Sequence, residues 1–567
     1  MTDTAPVILF LYNRPYHTLK TIEALQNNEG WNKTDVFVFC DGPKQNASAE
    51  QFQRIAEVRA MANNISGCKS IQIFASEENK GLYQSVLDGV GEIFKSFEKL
   101  IVLEDDLETA PNFLNYMNDA LHHYENSENV YCISGYTYPI AASNDEAFFI
   151  KGADCWGWAT WKNRWNKLEL DGQKLLNQLN EKNLINAFTF NGSYPYLEML
   201  NDKISGANQS WAVLWYATSL ANGGLCLYPA NSLVHNTGTD GTGTHGAGTG
   251  VYQINLSNNT SYSLPKRIEE SAEKRTEFEN FFRKSQPNTS KIHWFISGVN
   301  RRLKYYFKKI TTKISPPKKE FGWFGDYPDW ASAQAKSTGY DQSNILNQVK
   351  DALLQVKYGV AVYERDSVVF DKVQLSEPLL KSLQKINGEF DGKLYVVDFG
   401  GSLGSSYFQN KNFIKNSTSL QWSIVEQKHF IECGKKYFED ENLHFFFSVS
   451  DAQNERKNNV LLVSSVIQYF EKPYELIEEL MSYDFDYIII DRTAFVDRDT
   501  DRITLQIVPT SIYSASYPSW FFNKKKFIQA FEKSYELIEE LESTFDPAEN
   551  IDGEFTYRRG FLFKRKK

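Results

Sequence analysis

Short apolar runs alternate with helical patterns from the start of the chain. The apolar runs predict strands at 7–11, 36–40, 71–74 and 100–103, and the patterns between them predict helices at 16–26, 48–63 and 81–95. This alternating order predicts an α/β fold, with a mostly parallel sheet covered by helices on both faces. Ligands of such sheets bind beyond the carboxyl ends of the strands. We therefore expect the polar residues that follow each strand to form a binding site.

Polar residues do follow these strands, and three of them are adjacent carboxylates. The set comprises Asn13, Arg14, Asp41, Lys80, Glu104, Asp105 and Asp106. Neighbouring carboxylates repel each other, so such a triplet usually needs a cation. Oxygen ligands favour Mg²⁺ or Mn²⁺, and these ions also hold phosphates. The triplet predicts a metal-bridged nucleotide-diphosphate site, with Arg14 or Lys80 near the phosphates and Asp41 on the base or ribose. The alternative is a solvated acidic turn.

Aromatic residues are dense after the next predicted strand, at 130–134. Four tryptophans lie within ten residues, at 156, 158, 161 and 165, and Trp211 and Trp215 follow at helical spacing. They indicate either core packing or a surface on which a sugar ring stacks, and we take Trp156, Trp158 and Trp211 as candidate acceptor-binding residues.

A loop rich in glycine and threonine follows the strand predicted at 225–228. It could order over a bound substrate, or it could be an exposed flexible loop. His235 and His245 could reach the metal or the diphosphate from this loop.

A basic segment at 291–319 has a composition unlike the rest of the chain. It holds nine Lys or Arg residues, no Asp or Glu, and apolar residues at helical spacing. Such a helix could lie on an anionic membrane surface or could pack as a linker between domains. Pro316 and Pro317 end the segment, and we place a domain boundary there.

The second half begins another α/β pattern, and its first strand ends in a glycine-rich turn. Asp398, Gly400, Gly401 and Gly404 form a turn that lets the backbone approach a ligand, although the spacing differs from the GxGxxG pattern of NAD sites. Glu426 ends the next strand, where an acid can accept both ribose hydroxyls. Asp451 follows the third strand, where it can meet an adenine amino group. The ordered set predicts a site for S-adenosylmethionine (SAM).

Composition and charge limit the possible classes of protein. A chain of 567 residues with 42% hydrophobic residues is expected to form two or three globular domains. A net charge of −10 argues against a nucleic-acid partner. The six cysteines form no CxxC pair, which suits a reducing cytosol and argues against a structural zinc site. The start of the chain lacks a signal-peptide pattern. We expect a cytoplasmic protein, in which 291–313 could contact the inner face of the cell membrane.

Residues 320–567 resemble class I SAM-dependent methyltransferases. Four segments, at 321–325, 397–404, 464–469 and 490–493, are similar to a family of bacterial methyltransferases often encoded near surface-polysaccharide genes. The resemblance implies a Rossmann-like SAM-binding domain but names no acceptor. Late residues where acceptor contacts could lie are Asp491, Arg492, Gln506, Tyr513 and Tyr517. Asp491 is the candidate general base; it could also be a strand cap.

Residues 5–250 resemble GT-A glycosyltransferases of the N-acetylglucosaminyltransferase I type. The likeness rests on the run from Glu104 through Asp106 to Glu108, followed by Ala110 and Pro111. In that family the last Asp of the triplet contacts Mn²⁺. The resemblance therefore implies Asp106 as metal ligand and Glu104 and Asp105 as nucleotide contacts. From the loop, we take His235 as a second candidate metal ligand.

The family's catalytic Asp beside a Trp is missing from this chain. The corresponding region, 208–211, reads Asn-Gln-Ser-Trp and contains no carboxylate. Asp154, just before the tryptophan cluster, is the substitute candidate for the catalytic base.

Together these patterns predict a bifunctional enzyme. We expect a GT-A domain at 1–285, a basic linker at 286–320 and a methyltransferase domain at 321–567. The enzyme would transfer a sugar from a nucleotide sugar, with Mn²⁺ or Mg²⁺, and a methyl group from SAM, to a bacterial surface glycan or its lipid-linked precursor. The alternative is an active glycosyltransferase whose C-terminal half is a non-catalytic interaction or regulatory module.

Overall fold

The chain forms two compact units, Met1–Thr311 and Thr312–Lys567, in the computed structural model. The structure describes all residues except 1–3, 141–144, 241–250, 255, 257–260, 286–320, 339–341, 366, 510–514 and 544. The predicted linker and basic helix, His245 and Tyr513 thus lie outside the described residues. In the part that is described, no helix combines the length and apolar character needed to cross a bilayer.

The first unit contains ten described strands and ten described helices. The strands are β1 (Val7–Leu11), β2 (Asp35–Cys40), β3 (Ser70–Ala75), β4 (Lys99–Glu104), β5 (Leu107–Thr109), β6 (Val130–Ser134), β7 (Phe148–Lys151), β8 (Trp158–Trp161), β9 (Leu225–Tyr228) and β10 (Val234–Asn236). The helices are α1 (Pro15–Gln26), α2 (Ala49–Asn63), α3 (Gly81–Ile93), α4 (Phe113–His123), α5 (Lys162–Trp165), α6 (Gly172–Glu181), α7 (Ile185–Phe188), α8 (Tyr196–Ser205), α9 (Ala212–Ala221) and α10 (Ala272–Ser285).

The main sheet of this unit has the order β3-β2-β1-β4-β8-β6-β9-β7. Strands β1 to β4 are parallel, and every residue of β1 is buried because the sheet is covered on both faces. The carboxyl ends of β1, β2 and β4 therefore meet at one edge. Strands β5 and β10 form a separate antiparallel pair in which His235 lies opposite Glu108.

Strand β8 is the main departure from the predicted pattern. It runs antiparallel between β4 and β6, and all four of its residues are buried. Trp158 is 0% exposed and Trp211 is 4% exposed, and their ring centroids lie 5.3 Å apart. The prediction that Trp158 and Trp211 bind an acceptor is therefore wrong, because a central strand and a helix N-terminus enclose both rings in the core.

The second unit contains thirteen described strands and eight described helices. The strands are β11 (Gly322–Tyr327), β12 (Tyr363–Arg365), β13 (Val368–Phe370), β14 (Lys393–Phe399), β15 (Ser419–Val425), β16 (Leu443–Phe446), β17 (Val460–Ser464), β18 (Tyr487–Val496), β19 (Arg502–Ile507), β20 (Ser516–Asn523), β21 (Tyr535–Glu542), β22 (Glu549–Ile551) and β23 (Glu554–Arg565). The helices are α11 (Trp330–Gln334), α12 (Gln342–Lys357), α13 (Glu377–Glu389), α14 (Ser405–Asn410), α15 (Lys428–Tyr437), α16 (Val449–Glu455), α17 (Pro473–Met481) and α18 (Lys524–Gln529).

Seven strands of this unit lie side by side in the order β16-β15-β14-β17-β18-β23-β21. The first five are mutually parallel, and β23 is antiparallel to both of its neighbours. Strand β18 changes partners along its length. Its first half pairs with β17, and its last residues pair with β20, which extends the sheet through β19 to β11. The pairing of β18 with β23 shifts register between Ile490 and Thr493.

The structure confirms the strands and helices predicted at the start of the first unit. Strands β1 to β4 fall within one residue of the predicted bounds, since buried parallel strands are continuous apolar runs. In the second unit, β14 ends in the glycine turn, β15 ends before Glu426 and β16 ends before Asp451, as predicted. The chain is thus a mixed α/β protein, as predicted.

We predict that Trp158→Ala lowers the free energy of unfolding by about 3–5 kcal/mol, because it removes a fully buried ring from the core. Urea denaturation of the full chain, followed by far-UV circular dichroism, measures the change. Trp156→Ala is the control and should cost less, since that ring is only half-buried. Equal losses for the two variants would contradict the core position of Trp158.

Candidate active sites

The carboxylate triplet lies where β4 ends, at the edge shared with β1. Glu104 is the last residue of β4, and Asp105 and Asp106 form the turn into β5. Arg14 follows the neighbouring strand β1, and its Nη1 lies 2.7 Å from Asp106 Oδ2 and 3.8 Å from Asp105 Oδ1. Parallel pairing of Phe10 with Glu104 sets this approach. The prediction that Arg14 and the triplet share one site agrees with this geometry.

Burial and mutual repulsion make the triplet electrostatically unfavourable. Burial raises the pKa of Glu104, and the charges of Asp106 and Asp105 raise it further. Burial and the charge of Asp106 raise the pKa of Asp105 to about 6, while Arg14 opposes the increase. A cation beside the triplet would relieve this repulsion.

The donor set of the triplet suits a hard cation that shares its coordination with phosphates. Carboxylate oxygens are ligands for Mg²⁺ or Mn²⁺, and Mg²⁺ usually takes only one or two of them. Among the described residues, no group of three or more His, Cys, Asp or Glu side chains is arranged to hold a metal by itself. A metal here would therefore depend on the diphosphate for further ligands.

His235 does not join the triplet. Burial lowers the pKa of its ring, and its charged neighbours are Glu108 and Lys20. The antiparallel register of β5 and β10 places it opposite Glu108. The prediction that His235 joins Asp106 as a metal ligand is therefore not supported by its position.

The backbone that follows His235 does reach the triplet. The N–H and Oγ1 of Thr237 donate to the carbonyl oxygen of Asp106, at 2.8 and 3.1 Å. A Cβ at position 238 would lie 2.0 Å from Asp106 Oδ2, so only glycine fits there. Gly238 could not be singled out from the sequence, since a glycine among many in one loop carries no separate signal.

The side chains of Asp41 and Lys80 make hydrogen bonds and an ion pair within the protein at this edge of the sheet. The carboxylate of Asp41 accepts hydrogen bonds from the backbone of Gly42, Lys80 and Gly81 and from the side chain of Asn79, all between 2.8 and 2.9 Å. These four bonds use the acceptor capacity of a carboxylate, so the predicted contact of Asp41 with a ribose or base is not available in this arrangement. The ammonium of Lys80 pairs with Asp88 at 3.1 Å. Asn13 lies in the turn between β1 and α1.

Asp154 lies in an aromatic shell close to the triplet. Its Oδ1 accepts from the N–H groups of Cys155 and Trp156, and its Oδ2 accepts from Tyr228 Oη at 3.1 Å. Burial raises its pKa. Burial also raises the pKa of the Cys155 thiol, and Asp154, Glu104 and Asp106 add to that increase. Asp154 and the triplet therefore both lie near Cys155, as expected of one site.

Trp156 is the remaining acceptor candidate, and it keeps part of its surface open. Its ring packs edge-on against Tyr136 at 4.7 Å and against Tyr252 at 5.7 Å. It is half-buried and adjoins Asp154 in sequence. Trp156 can therefore contact a ligand in a way that Trp158 and Trp211 cannot.

In the second unit, the glycine turn after β14 closes around Asp398. This carboxylate is buried, and its Oδ2 accepts from Trp422 Nε1 at 3.0 Å. Gly400 has a φ of +71° and donates its N–H to the carbonyl oxygen of Val425. A Cβ at Gly401 would lie 2.6 Å from the Asp398 carboxyl carbon. Gly404 begins α14. The contact of Gly401 with Asp398 and the hydrogen bond of Gly400 to β15 therefore hold the turn in one conformation.

Acidic groups lie on both sides of this turn. Burial raises the pKa of Asp398 to about 7, although the hydrogen bond from Trp422 opposes the increase. Glu426 follows β15, accepts from the backbone N–H groups of Gln427 and Ser402, and has a pKa raised by burial. The backbone of Ser402 belongs to the turn, so Glu426 and the turn form one continuous wall.

Asp451 and an aromatic ring lie beyond the third parallel strand. Asp451 is the third residue of α16, and its N–H donates to the capping Oγ of Ser448 at 3.0 Å. Its carboxylate is exposed. Phe447, which precedes the cap, is 57% exposed and was not among the candidates predicted from the sequence. An exposed ring beside an acid at a strand end can stack on a base.

The late candidates of the second unit gather where β18 leaves β17. Asp491 is buried and accepts from Ser464 Oγ at 2.9 Å. Burial raises its pKa. Arg492 pairs with Asp546 at 3.0 Å. Gln506 accepts from Tyr469 Oη at 2.9 Å and lies opposite Tyr517 across β19 and β20.

Comparison with known proteins gives structural neighbours of low similarity, and no family model matches the chain. The N-terminal domain of EvdMO1, solved in the presence of SAH and D-fucose, is 10% identical, with a TM-score of 0.25 over 40% of this chain and 98% of that chain. A SAM-dependent methyltransferase from Clostridium acetobutylicum is 9% identical, with a TM-score of 0.24 over 34% and 92%. Magnesium protoporphyrin IX methyltransferase from Synechocystis is 11% identical, with a TM-score of 0.22 over 34% and 86%.

We predict that Asp398→Asn becomes progressively more stable than the natural protein as the pH rises from about 4 to 8. The raised pKa means that the folded state binds more protons than the unfolded state between about pH 4 and 7, so this carboxyl lowers stability as pH rises through that window. The difference between the two proteins should grow by about 4 kcal/mol at most.

Urea titrations at several pH values measure this difference. Trp422→Phe removes the donor that lowers the pKa of Asp398, and it should move the upper end of the window to higher pH. A difference between Asp398→Asn and the natural protein that stays constant with pH would reject a buried titrating carboxyl here.

Proposed function

We propose that the second unit is a SAM-dependent methyltransferase. The observation that carries this proposal is the continuous wall formed by the turn at 398–404 and Glu426 at the carboxyl ends of β14 and β15. The five neighbouring parallel strands, from β16 to β18, fit the Rossmann-like domain that the resemblance of residues 320–567 implies. Ligands of parallel sheets bind at this edge.

Each residue of the wall has a role in this proposal. The backbone of Gly400 and Gly401 allows close approach of the ligand, and Asp398 fixes their conformation. Glu426 accepts the ribose hydroxyls. Phe447 stacks on the adenine, and Asp451 accepts from its amino group. SAM bound there would supply an electrophilic methyl group. Asp491 would take the proton of the acceptor hydroxyl as its oxygen bonds to the methyl group and the S–CH3 bond of SAM breaks, which leaves S-adenosylhomocysteine; its raised pKa suits a general base.

We predict that Glu426→Gln weakens binding of S-adenosylhomocysteine (SAH) at least about tenfold, because two charge-assisted hydrogen bonds to the ribose are lost. Titration calorimetry of the full chain with SAH measures the affinity. Glu432→Gln, on the exposed face of α15, is the matched control and should bind like the natural protein. If the natural protein does not bind SAH, or if Glu426→Gln binds it equally well, the proposal is wrong.

We further propose that the first unit transfers a sugar from a nucleotide sugar. The supporting observation is that Arg14, the carboxylate triplet and Asp154 come together at one edge of the sheet. Asp106 would ligate Mn²⁺ or Mg²⁺, and Glu104 and Asp105 would contact the nucleotide. A bound metal would neutralise the departing diphosphate. Arg14 supplies further positive charge, and Asp154, with its raised pKa, would take the proton of the acceptor hydroxyl.

Asp106→Asn should lower metal-dependent hydrolysis of the donor nucleotide sugar at least about hundredfold, since a metal ligand stabilises the leaving group by several kcal/mol. Screening nucleotide sugars with Mn²⁺ for released nucleoside diphosphate measures the rate. Asp88→Asn, at an exposed carboxylate that pairs with Lys80, is the control and should retain full activity. Unchanged hydrolysis by Asp106→Asn would reject the metal assignment.

Both activities fit one glycan pathway. We infer that the two units act on a bacterial surface polysaccharide or its lipid-linked precursor, and that the methyl group goes to the same glycan. The alternative is a C-terminal unit that only docks or regulates other assembly enzymes. Capture of such a partner by the full chain, unaffected by Glu426→Gln, would favour that alternative.

A further inference from the structure

Three strands of the second unit present a row of polar and aromatic side chains on one face. Trp323 in β11 lies opposite Gln506 in β19, and Gln506 lies opposite Tyr517 in β20. Residues directly opposite each other in antiparallel strands share a face. Phe521, four residues after Tyr517 on β20, belongs to the same face because side chains alternate along a strand. We call this row the acceptor face.

The charged guanidinium of Arg558, in β23, lies against the aromatic rings of the acceptor face. The guanidinium carbon lies 4.6 Å from the ring centre of Trp323 and 4.9 Å from that of Phe521. Nearby arginines are paired: Arg492 with Asp546, and Arg559 with Glu540. Arg558 forms no salt bridge or side-chain hydrogen bond within the described part of the chain. Within the described residues, its closest recorded contacts are thus the rings of Trp323 and Phe521.

A second donor lies beside Arg558. Nε1 of Trp323 is buried and has no hydrogen-bond partner among the described residues. Burial of an unpaired N–H costs free energy, and a buried donor without a partner calls for an explanation. The Arg558 guanidinium lies over the same indole ring, so one acceptor group between them could satisfy both donors.

The acceptor face adjoins the proposed methyl-transfer site. Arg558 and Gly560 are two residues apart on β23, which is about 7 Å along a strand. A Cβ at Gly560 would lie 3.3 Å from the Cα of Asp491, the proposed general base. Tyr469 donates a hydrogen bond to Gln506 on this face, and it lies in the segment that follows β17. The last residue of β17, Ser464, donates a hydrogen bond to Asp491.

We propose that the methyl acceptor carries an oxyanion, either a carboxylate or a phosphoryl group, which Arg558 and Trp323 Nε1 bind on the acceptor face. This inference rests on the proposed methyltransferase function of the same unit. An oxyanion fits because the planar guanidinium presents paired donors that match a carboxylate or phosphate. Burial lowers the pKa of Arg558, yet an arginine stays charged, so its desolvated cation favours an anionic partner. Neighbouring Asp546 and Glu549 favour its charged form.

Binding of three sugars to the full chain, saturated with SAH, tests the inference. The probes are D-glucuronate, α-D-glucose 1-phosphate and neutral D-glucose, and calorimetry or ligand-observed NMR measures their affinities. At least one charged sugar should bind at least about tenfold more tightly than glucose, because its oxyanion accepts charge-assisted hydrogen bonds that glucose cannot form. The charged sugar that binds more tightly identifies the group as carboxylate or phosphoryl. Equal affinity for all three, or no binding of either charged sugar, overturns the inference.

Variants assign the binding to the two donors. Arg558→Gln should lose the preference for the charged sugar, and Trp323→Phe should weaken its binding several-fold while keeping an aromatic ring. Arg559→Gln is the matched control: it removes an arginine from the next position of β23, where the side chain pairs with Glu540. That variant should bind like the natural protein, and the inference fails if it loses the preference as fully as Arg558→Gln.

SAH affinity, measured on every variant, separates the possible failures. If Arg558→Gln no longer binds SAH, the sugar affinities of Arg558→Lys and Trp323→Phe test the inference in its place. An unchanged preference for the charged sugar in both of these variants overturns the inference. If SAH binds but the charged sugars show no preference, the methyltransferase proposal survives and the inference fails. If the natural protein does not bind SAH, the methyltransferase proposal fails. The same sugars, titrated without SAH, then still decide whether Arg558 binds an oxyanion.

Discussion

Burial of carboxylates at the carboxyl ends of parallel strands is the constraint on which both units depend. Each sheet places an acid where an apolar strand stops, and burial raises the pKa of Asp105 and of Asp398. Each acid has a specific counterpart: Arg14 near Asp105, and the indole N–H of Trp422 on Asp398. These partners fix the shapes of the neighbouring turns, and the turns define where a ligand can approach. The position of the candidate site in each unit thus follows from the buried acids at the carboxyl ends of its parallel strands.

The sequence was enough to predict the parallel strands and the acids that follow them, because buried parallel strands are unbroken apolar runs and the next polar residue marks the edge. It was not enough for β8, since Trp158 and its neighbours have the same composition whether they form a central strand or a stacking surface. The sequence also could not place His235, because only the register of β5 and β10 shows that this residue lies opposite Glu108.

Long-range pairing explains what else could not be predicted. Strand β18 continues past Asp491 although the polar pair at 491–492 interrupts its apolar run, since β23 pairs with both halves of β18 and β20 provides a new partner at its end. Arg558 meets Trp323 only because strands distant in sequence share one sheet. The same change of partner places the proposed base beside the acceptor face. The change of partner along β18, which strand patterning does not predict, thus joins Asp491 to the acceptor face in the proposed methyl-transfer site.

Hydrogen exchange of the full chain with two separate ligands tests the central claim, that each unit has its own nucleotide-type site at the edge of its own sheet. SAH should slow exchange at 398–404 and 426–427 and leave 104–111 unchanged. UDP or GDP with Mn²⁺ should slow exchange at 104–111 and 234–238 and leave 398–404 unchanged. Exchange at 398–404 that does not respond to SAH, or protection of the same segment by both ligands, would contradict the account.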